Sequence, residues 1–137
     1  YTGLRVFPLA LGAIGGLICI SIVLYCSGLS YVTLNILLFL YGVFSGSEII
    51  VFIMAKECSG AELSGTVFAA TNMIVTLGGV IFQPLVGKLL DTFGDSGIVG
   101  GEHIYTVVDY QVALSILPIS LLLVTILAFF IKDHSAN

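Results

Sequence analysis

Residues 31–55, YVTLNILLFLYGVFSGSEIIVFIMA, form an apolar segment that is long enough to cross a bilayer, and Glu48 lies inside it. About 20 apolar residues are needed for one membrane crossing. Lys56 follows Glu48 by eight residues, so the carboxylate lies about 12 Å inside that end of the helix. A charge at this depth is costly, and such residues usually face a bundle interior or a water-filled path. Glu48 is therefore the first candidate for a functional residue.

The same segment carries a polar stripe. Asn35, Gly42, Ser45 and Glu48 recur at spacings of seven, three and three, which the helical period places along one face. Gly42 and Gly46 also form a pair of small residues that lets a second helix approach closely. Two interpretations remain open: the stripe lines a substrate or proton path, or it only packs helices, with Glu48 protonated and hydrogen-bonded.

Composition identifies the class of protein. The chain has 137 residues, of which 58% are hydrophobic and only 9% charged, and its mean hydropathy is +1.18. Soluble domains carry about 25% charged residues. The sequence therefore predicts an all-α membrane protein with four transmembrane helices in the lipid bilayer. We expect these spans at residues 7–26, 31–55, 63–90 and 110–131. The net charge of −4 and the lack of a basic patch exclude nucleic acid as a partner.

The third span holds a second polar stripe, Asn72, Thr76, Gly79 and Gln83, at spacings of four, three and four. This spacing also follows the helical period. Glu48 and Asn72 are each eight residues from the charged turn that joins their spans, so we expect them at similar depth, in a shared polar layer.

Proline predicts irregularities in two spans. Pro84 removes one backbone donor from the third helix and predicts a kink there, because the freed carbonyl must find another partner. Pro118 predicts a gentle bend in the fourth span. Pro8 falls in the first turn of the first helix, where proline is tolerated.

The longest loop, residues 91–109, is rich in glycine and acidic residues, and we expect it to be aqueous. Its DTFGDSG segment lacks the residue order of a calcium loop, so no metal is expected, and His103 is interpreted as a solvated residue. Cys19, Cys26 and Cys58 show no CxxC spacing and are expected to be reduced. No catalytic constellation and no phosphate-binding loop occur; we expect neither an enzyme nor a cofactor.

The basic residues predict an orientation. Arg5, Lys56 and Lys132 fall on one side of four alternating spans, with Lys88 near the other. The positive-inside rule assigns that side, and with it both chain ends, to the cytoplasm. The chain begins with Tyr1 rather than Met, and we expect it to be a piece of a longer protein.

The third span carries the most specific family resemblance. Its residues Ser64, Gly65, Ala69, Asn72, Gly79, Gln83, Pro84, Gly87 and Asp91 resemble the eleventh span of bacterial major facilitator superfamily transporters. The whole chain resembles spans nine to twelve of that twelve-helix bundle. The resemblance implies that the second span of this chain lines a central cavity, that the third supports it, and that the first and fourth lie outside against lipid. It also implies a bacterial inner membrane and, as partners, the remaining helices of the parent transporter.

The main functional interpretation is secondary active transport of a small organic solute, such as an amino acid or related metabolite, coupled to a proton or another ion, as in a symporter. Glu48 would bind the proton or the substrate. The proposed hydrogen-bonding groups near the cavity are Asn35, Tyr41, Ser45, Asn72 and Gln83.

Two alternatives remain. The first is a small four-span dimeric multidrug exporter with one essential membrane glutamate. Exporters of that type resemble one another in carrying the glutamate in the first span, and here the first span has no ionisable residue. The second is a structural membrane protein without transport activity, in which Glu48 would be dispensable.

Overall fold

The computed structural model describes residues 6–57, 59–94, 98–99 and 102–130. The elements follow in this order: α1 Val6–Tyr25, α2 Tyr31–Ser45, a 3₁₀ turn Gly46–Glu48, α3 Ile49–Glu57, a 3₁₀ turn Ala61–Leu63, α4 Ser64–Phe93, β1 Ile98–Val99, β2 Glu102–His103, α5 Val107–Leu114 and α6 Ile116–Phe130. The two short strands pair antiparallel, Ile98 with His103 and Val99 with Glu102. The rest of the regular structure is helical.

Four helical segments are long and apolar enough to cross a membrane, which confirms the prediction of a helical chain with four such segments. They are Val6–Tyr25, Tyr31–Glu57, Ser64–Phe93 and Val107–Phe130, called spans one to four below. Arg5, Cys58, Asp95, Lys132 and His134 lie outside the described residues. The predicted orientation depends on Arg5 and Lys132 and stays a prediction.

Spans one and two are joined by a tight turn. Gly28 takes φ +80°, a backbone conformation that glycine adopts without a steric penalty. Ser30 then caps α2, because its hydroxyl accepts a hydrogen bond from the Thr33 amide at 3.2 Å. Such a cap satisfies one of the amides left free at a helix start. The two spans therefore lie side by side.

Two of the four spans change their hydrogen-bond pattern within one continuous helical segment. Span two changes from α-helix to a 3₁₀ turn at Gly46–Glu48 before α3 begins. In span four the α-helical pattern breaks at Ser115, between α5 and α6, while the backbone of Ser115 stays right-handed helical. Pro118 has no amide hydrogen to donate to the carbonyl of Leu114, four residues earlier, which explains a change at this place. By contrast, α4 continues through Pro84, so the helix does not end at the position where a kink was predicted.

Helix α1 lies between span two and span four and makes its main contacts with α2 and α6. Its buried residues recur at helical spacing: Leu9, Ala10, Gly12, Ala13, Gly16, Cys19 and Ile20. The described residues of α2, α3 and α4 include none that is buried. The resemblance had implied that spans one and four lie outside, but within this chain span one is the most enclosed helix.

Glycines in α1 explain this packing. A Cβ added at Gly12 would lie 2.5 Å from the Ser47 Cβ and 2.8 Å from the Phe44 carbonyl oxygen. At Gly15 the added atom would lie 2.5 Å from the Phe44 ring. Gly42 and Gly46, in contrast, have no described atom within 4 Å of such a Cβ. The close helix contact thus depends on the glycines of span one and not on the predicted pair in span two.

The loop between spans three and four is shorter than predicted. Asp91 lies in the last turn of α4, and Asp109 lies in the first turn of α5. There the Asp109 carboxylate accepts hydrogen bonds from the Thr106 amide at 2.7 Å and the Thr106 hydroxyl at 2.8 Å. The Asp109 amide donates to the Thr106 hydroxyl at 3.3 Å. This reciprocal cap begins the helix three residues before the predicted start of span four.

Two side chains connect span four to the other helices. The Tyr105 hydroxyl donates a hydrogen bond to Asp91 Oδ1 at 2.5 Å, which joins the entry of span four to the end of span three. The Gln111 amide nitrogen donates to the Leu24 carbonyl at 2.8 Å. Leu24 is in the last turn of α1, where carbonyls have no partner within the helix. Gln111 therefore both caps α1 and fixes α5 beside it.

The glycines of α1 provide a stability test with an internal control. We expect Gly12→Ala to lower the free energy of unfolding by about 1–3 kcal/mol, the usual cost of overpacking, because the new methyl group meets the Phe44 backbone. Gly16→Ala should be neutral or stabilising by up to about 1 kcal/mol, since its Cβ would lie 3.8 Å from the Tyr41 ring, an ordinary contact. Thermal unfolding of the purified protein in detergent measures both. Equal stability of the two variants would contradict the close α1–α2 contact.

The Tyr105–Asp91 hydrogen bond predicts a pH effect. The bond to the Asp91 carboxylate, followed by desolvation, raises the pKa of Tyr105 above its ordinary value of 10.0, because ionisation would break the bond and bring two negative charges together. The bond therefore stabilises the fold below pH 10.0, and this contribution is lost as the pH rises through the raised pKa.

Tyrosinate absorbance measures this shift. The difference between the titrations of the native protein and Tyr105→Phe gives the midpoint of Tyr105, which we expect above 10.0. In an Asp91→Asn background the midpoint of Tyr105 should fall. An identical midpoint in both backgrounds would show that Asp91 is not the cause.

Candidate functional site

A cleft of about 350 Å³ is bordered by all four spans. Its lining residues are Leu9, Gly12, Ala13 and Gly16 from α1; Tyr41, Phe44, Ser45, Ser47, Glu48 and Val51 from span two; Val75 from α4; and Leu121 and Val124 from α6. The glycines and Ala13 in α1 leave space at this level because they have little or no side chain. The cleft therefore exists where the smallest residues of span one face the middle of span two.

The polar side chains that the described residues contribute to the cleft all come from span two. They are the hydroxyls of Tyr41, Ser45 and Ser47 and the carboxylate of Glu48. The other three spans contribute only glycine, alanine, leucine and valine. The cleft thus has one polar wall and apolar walls on its remaining sides.

The helical geometry of span two explains why three predicted site residues meet here. Tyr41, Ser45 and Glu48 are separated by four and three residues, which places them on one face of a helix. The 3₁₀ turn reinforces the last step, because residues three apart are eclipsed in that geometry. Tyr41 is half-buried, whereas Ser45 and Glu48 are exposed within this chain. The carboxylate is thus accessible at the 3₁₀ turn within span two, where the hydrogen-bond pattern of the helix changes.

Asn35 does not reach the cleft. It borders a separate shallow depression formed by α2 with Tyr31, Val32, Ile36 and Phe39, and its amide nitrogen donates to the Tyr31 carbonyl at 2.8 Å. Each three-residue step turns the side-chain direction by about 60° in an α-helix. Two such steps separate Gly42 from Glu48, so the predicted stripe winds around the helix and its two ends face different surroundings.

Asn72 and Gln83 also lie outside the cleft, on an exposed side of α4. The residue that α4 contributes beside Glu48 is Val75. Spans two and three meet elsewhere, through the Phe52 and Phe68 rings, whose centroids are 5.0 Å apart. Glu48 and Asn72 therefore do not line the same cleft, and their similar depth stays a prediction.

Ser47 is a cleft residue that the sequence analysis missed. It does not belong to the polar stripe, since it lies two residues after Ser45 on another side of the helix. Its side chain is directed toward Gly12 of α1, as the position of its Cβ shows. Ser47 can be identified as a cleft residue only from the packing of span one against span two, because it belongs to no periodic pattern within span two.

The arrangement can bind a ligand by charge and by hydrogen bonds. Glu48 accepts hydrogen bonds when ionised and can donate one when protonated, and hydroxyls both donate and accept. A carboxyl group that can be protonated or ionised is the simplest group able to bind and release a proton within the span. Among the described residues, no group of three or more His, Cys, Asp or Glu side chains is placed to hold a metal ion.

Comparisons of the chain with protein-family models, with curated proteins and with solved structures found no match.

Proposed function

We propose that this chain is part of a secondary transporter that moves a small organic solute across a membrane by coupling it to a proton or another ion. The observation that carries the proposal is the position of Glu48, a carboxylate at a 3₁₀ turn within a membrane-spanning helix, in a cleft that Tyr41 and Ser45 also line. Ionisable residues inside membrane spans usually mark substrate, ion or proton paths.

The energetic cost of Glu48 supports a functional role. Lipid solvates a carboxylate poorly, so the charged form persists in a membrane only next to water, a cation or hydrogen-bond donors. The cleft supplies hydroxyl donors on the same face of the helix. A group that is neutral with a proton bound and charged without it can link proton movement to the binding of a solute.

The resemblance to spans nine to twelve of the major facilitator superfamily supports the same proposal. In that arrangement the remaining helices of the parent bundle would close the cleft from its open side and cover the exposed amide side of α4. The proposal includes a bacterial inner membrane, with both chain ends in the cytoplasm. The position of Glu48 in span two rather than in span one also separates the chain from a small exporter with its glutamate in the first span.

Glu48→Gln tests the proposal, with Glu62→Gln as the matched control. Glu62 is an exposed carboxylate in the turn between spans two and three. Cells that express the protein at its natural length are assayed for uptake of labelled amino acids, amines and other small solutes at several external pH values. We expect Glu48→Gln to reduce pH-driven uptake about tenfold or more, the scale of one lost charged hydrogen bond, and Glu62→Gln to leave uptake unchanged.

Ser45→Ala should have an intermediate effect, about twofold to tenfold, because a neutral hydrogen bond contributes less than a charged one. Membrane abundance of each variant is measured in parallel, so that a loss of protein is separated from a loss of activity. Unchanged pH-driven uptake by Glu48→Gln at normal abundance would contradict the proposal and favour a structural role for this residue.

A further inference from the structure

The charge of the cleft limits what it can bind. Glu48 is the ionisable carboxylate among the described residues that line it, and none of those residues is basic. The described lysines, Lys56 and Lys88, are not part of the lining. An anionic ligand would therefore be placed beside a carboxylate without a cationic side chain to pair with it, which is unfavourable at low dielectric.

The positions of the polar groups limit the shape of the ligand. Tyr41, Ser45, Ser47 and Glu48 form one wall, and the opposite walls are aliphatic. A ligand that fills such a cleft has a polar end against span two and an apolar body against spans one, three and four. The volume of about 350 Å³ is at the lower end of the usual range for small-molecule sites, so the ligand is small.

The types of polar groups favour one kind of cation. A primary ammonium has three N–H donors and no acceptor. The Glu48 carboxylate and the hydroxyl oxygens beside it are acceptors, so a primary ammonium can distribute its donors among them. A quaternary ammonium has no N–H group and would interact with Glu48 by charge alone, without a hydrogen bond to these acceptors.

We infer that the cleft recognises a small protonated primary amine with an apolar body and without a carboxylate of its own. This inference rests on the proposed function, because it names the substrate class of the same site. It differs from the sequence-based expectation of an amino acid, whose carboxylate would face Glu48 with no basic group among the described lining residues.

Three matched probes test the inference: 2-phenylethylamine, phenylalanine and 2-phenylethanol. They share an aromatic body and differ in charge at the other end. Binding is measured calorimetrically at neutral pH with the purified natural-length protein in lipid nanodiscs. We expect the amine to bind about tenfold or more tightly than both the amino acid and the alcohol, as a charge-assisted hydrogen bond predicts.

The variants assign the preference to the carboxylate. In Glu48→Gln the preference for the amine over the alcohol should disappear, whereas Glu48→Asp and Glu62→Gln should retain it. Binding of the alcohol reports whether the cleft of Glu48→Gln is intact. If Glu48→Gln no longer binds the alcohol, the Glu48→Asp variant becomes the test. A preference for the amine that persists in Glu48→Asp again identifies the carboxylate as its source.

Several results would overturn the inference: equal binding of the amine and the alcohol, tighter binding of phenylalanine, no measurable binding of the amine, or an amine preference that persists in Glu48→Gln. The two proposals fail in different ways. If Glu48→Gln loses pH-driven uptake but the native protein shows no preference for the amine, the transport proposal stands and the substrate class is rejected. An amine preference without any coupled uptake would retain the site and reject transport.

Discussion

The approach of α1 to span two is the contact on which the rest of this structure depends. Gly12 and Gly15 let the Phe44 and Ser47 region lie against the backbone of α1 at distances that side chains would prevent. In a bilayer, where apolar side chains gain little by leaving lipid, such close packing of small residues is a main source of helix association. The same small residues also leave the space beside Tyr41 and Glu48 unfilled. The small residues of α1 therefore both allow two spans to pack closely and leave the space that forms the cleft.

The number and placement of the helices could be predicted from the sequence, because runs of apolar residues bounded by charged or glycine-rich turns indicate helices long and apolar enough to cross a membrane. Ser45 and Glu48 were placed on one face by their spacing, and both line the cleft, together with Tyr41, which was a candidate outside that stripe. Contacts between spans could not be predicted in the same way. Asn72 and Glu48 were expected at similar depth, but depth does not determine which side of α4 faces the cleft, and the α4 residue that lines it is Val75.

The positions where the helices change their hydrogen-bond pattern could also be predicted only in part. Pro118 lies just after the point where the α-helical pattern of span four breaks, and α4 continues through Pro84, whose kink stays a prediction. Span two, which has no proline, changes its hydrogen-bond pattern at Gly46–Glu48. A glycine and serine pair can loosen a helix without any missing donor, so a search for proline alone missed the change beside Glu48.

The hydrogen bond from Gln111 to the Leu24 carbonyl has a consequence for the assembly of the chain during its synthesis. The two residues are 87 positions apart. At about 5–20 residues per second, a ribosome needs roughly 4–17 s to extend the chain over that distance. During this interval the last turn of span one has left the ribosome without its capping amide, and the membrane insertion machinery or water at the bilayer surface must solvate that carbonyl. The cap of span one therefore forms only after the Gln111 part of span four has been synthesised.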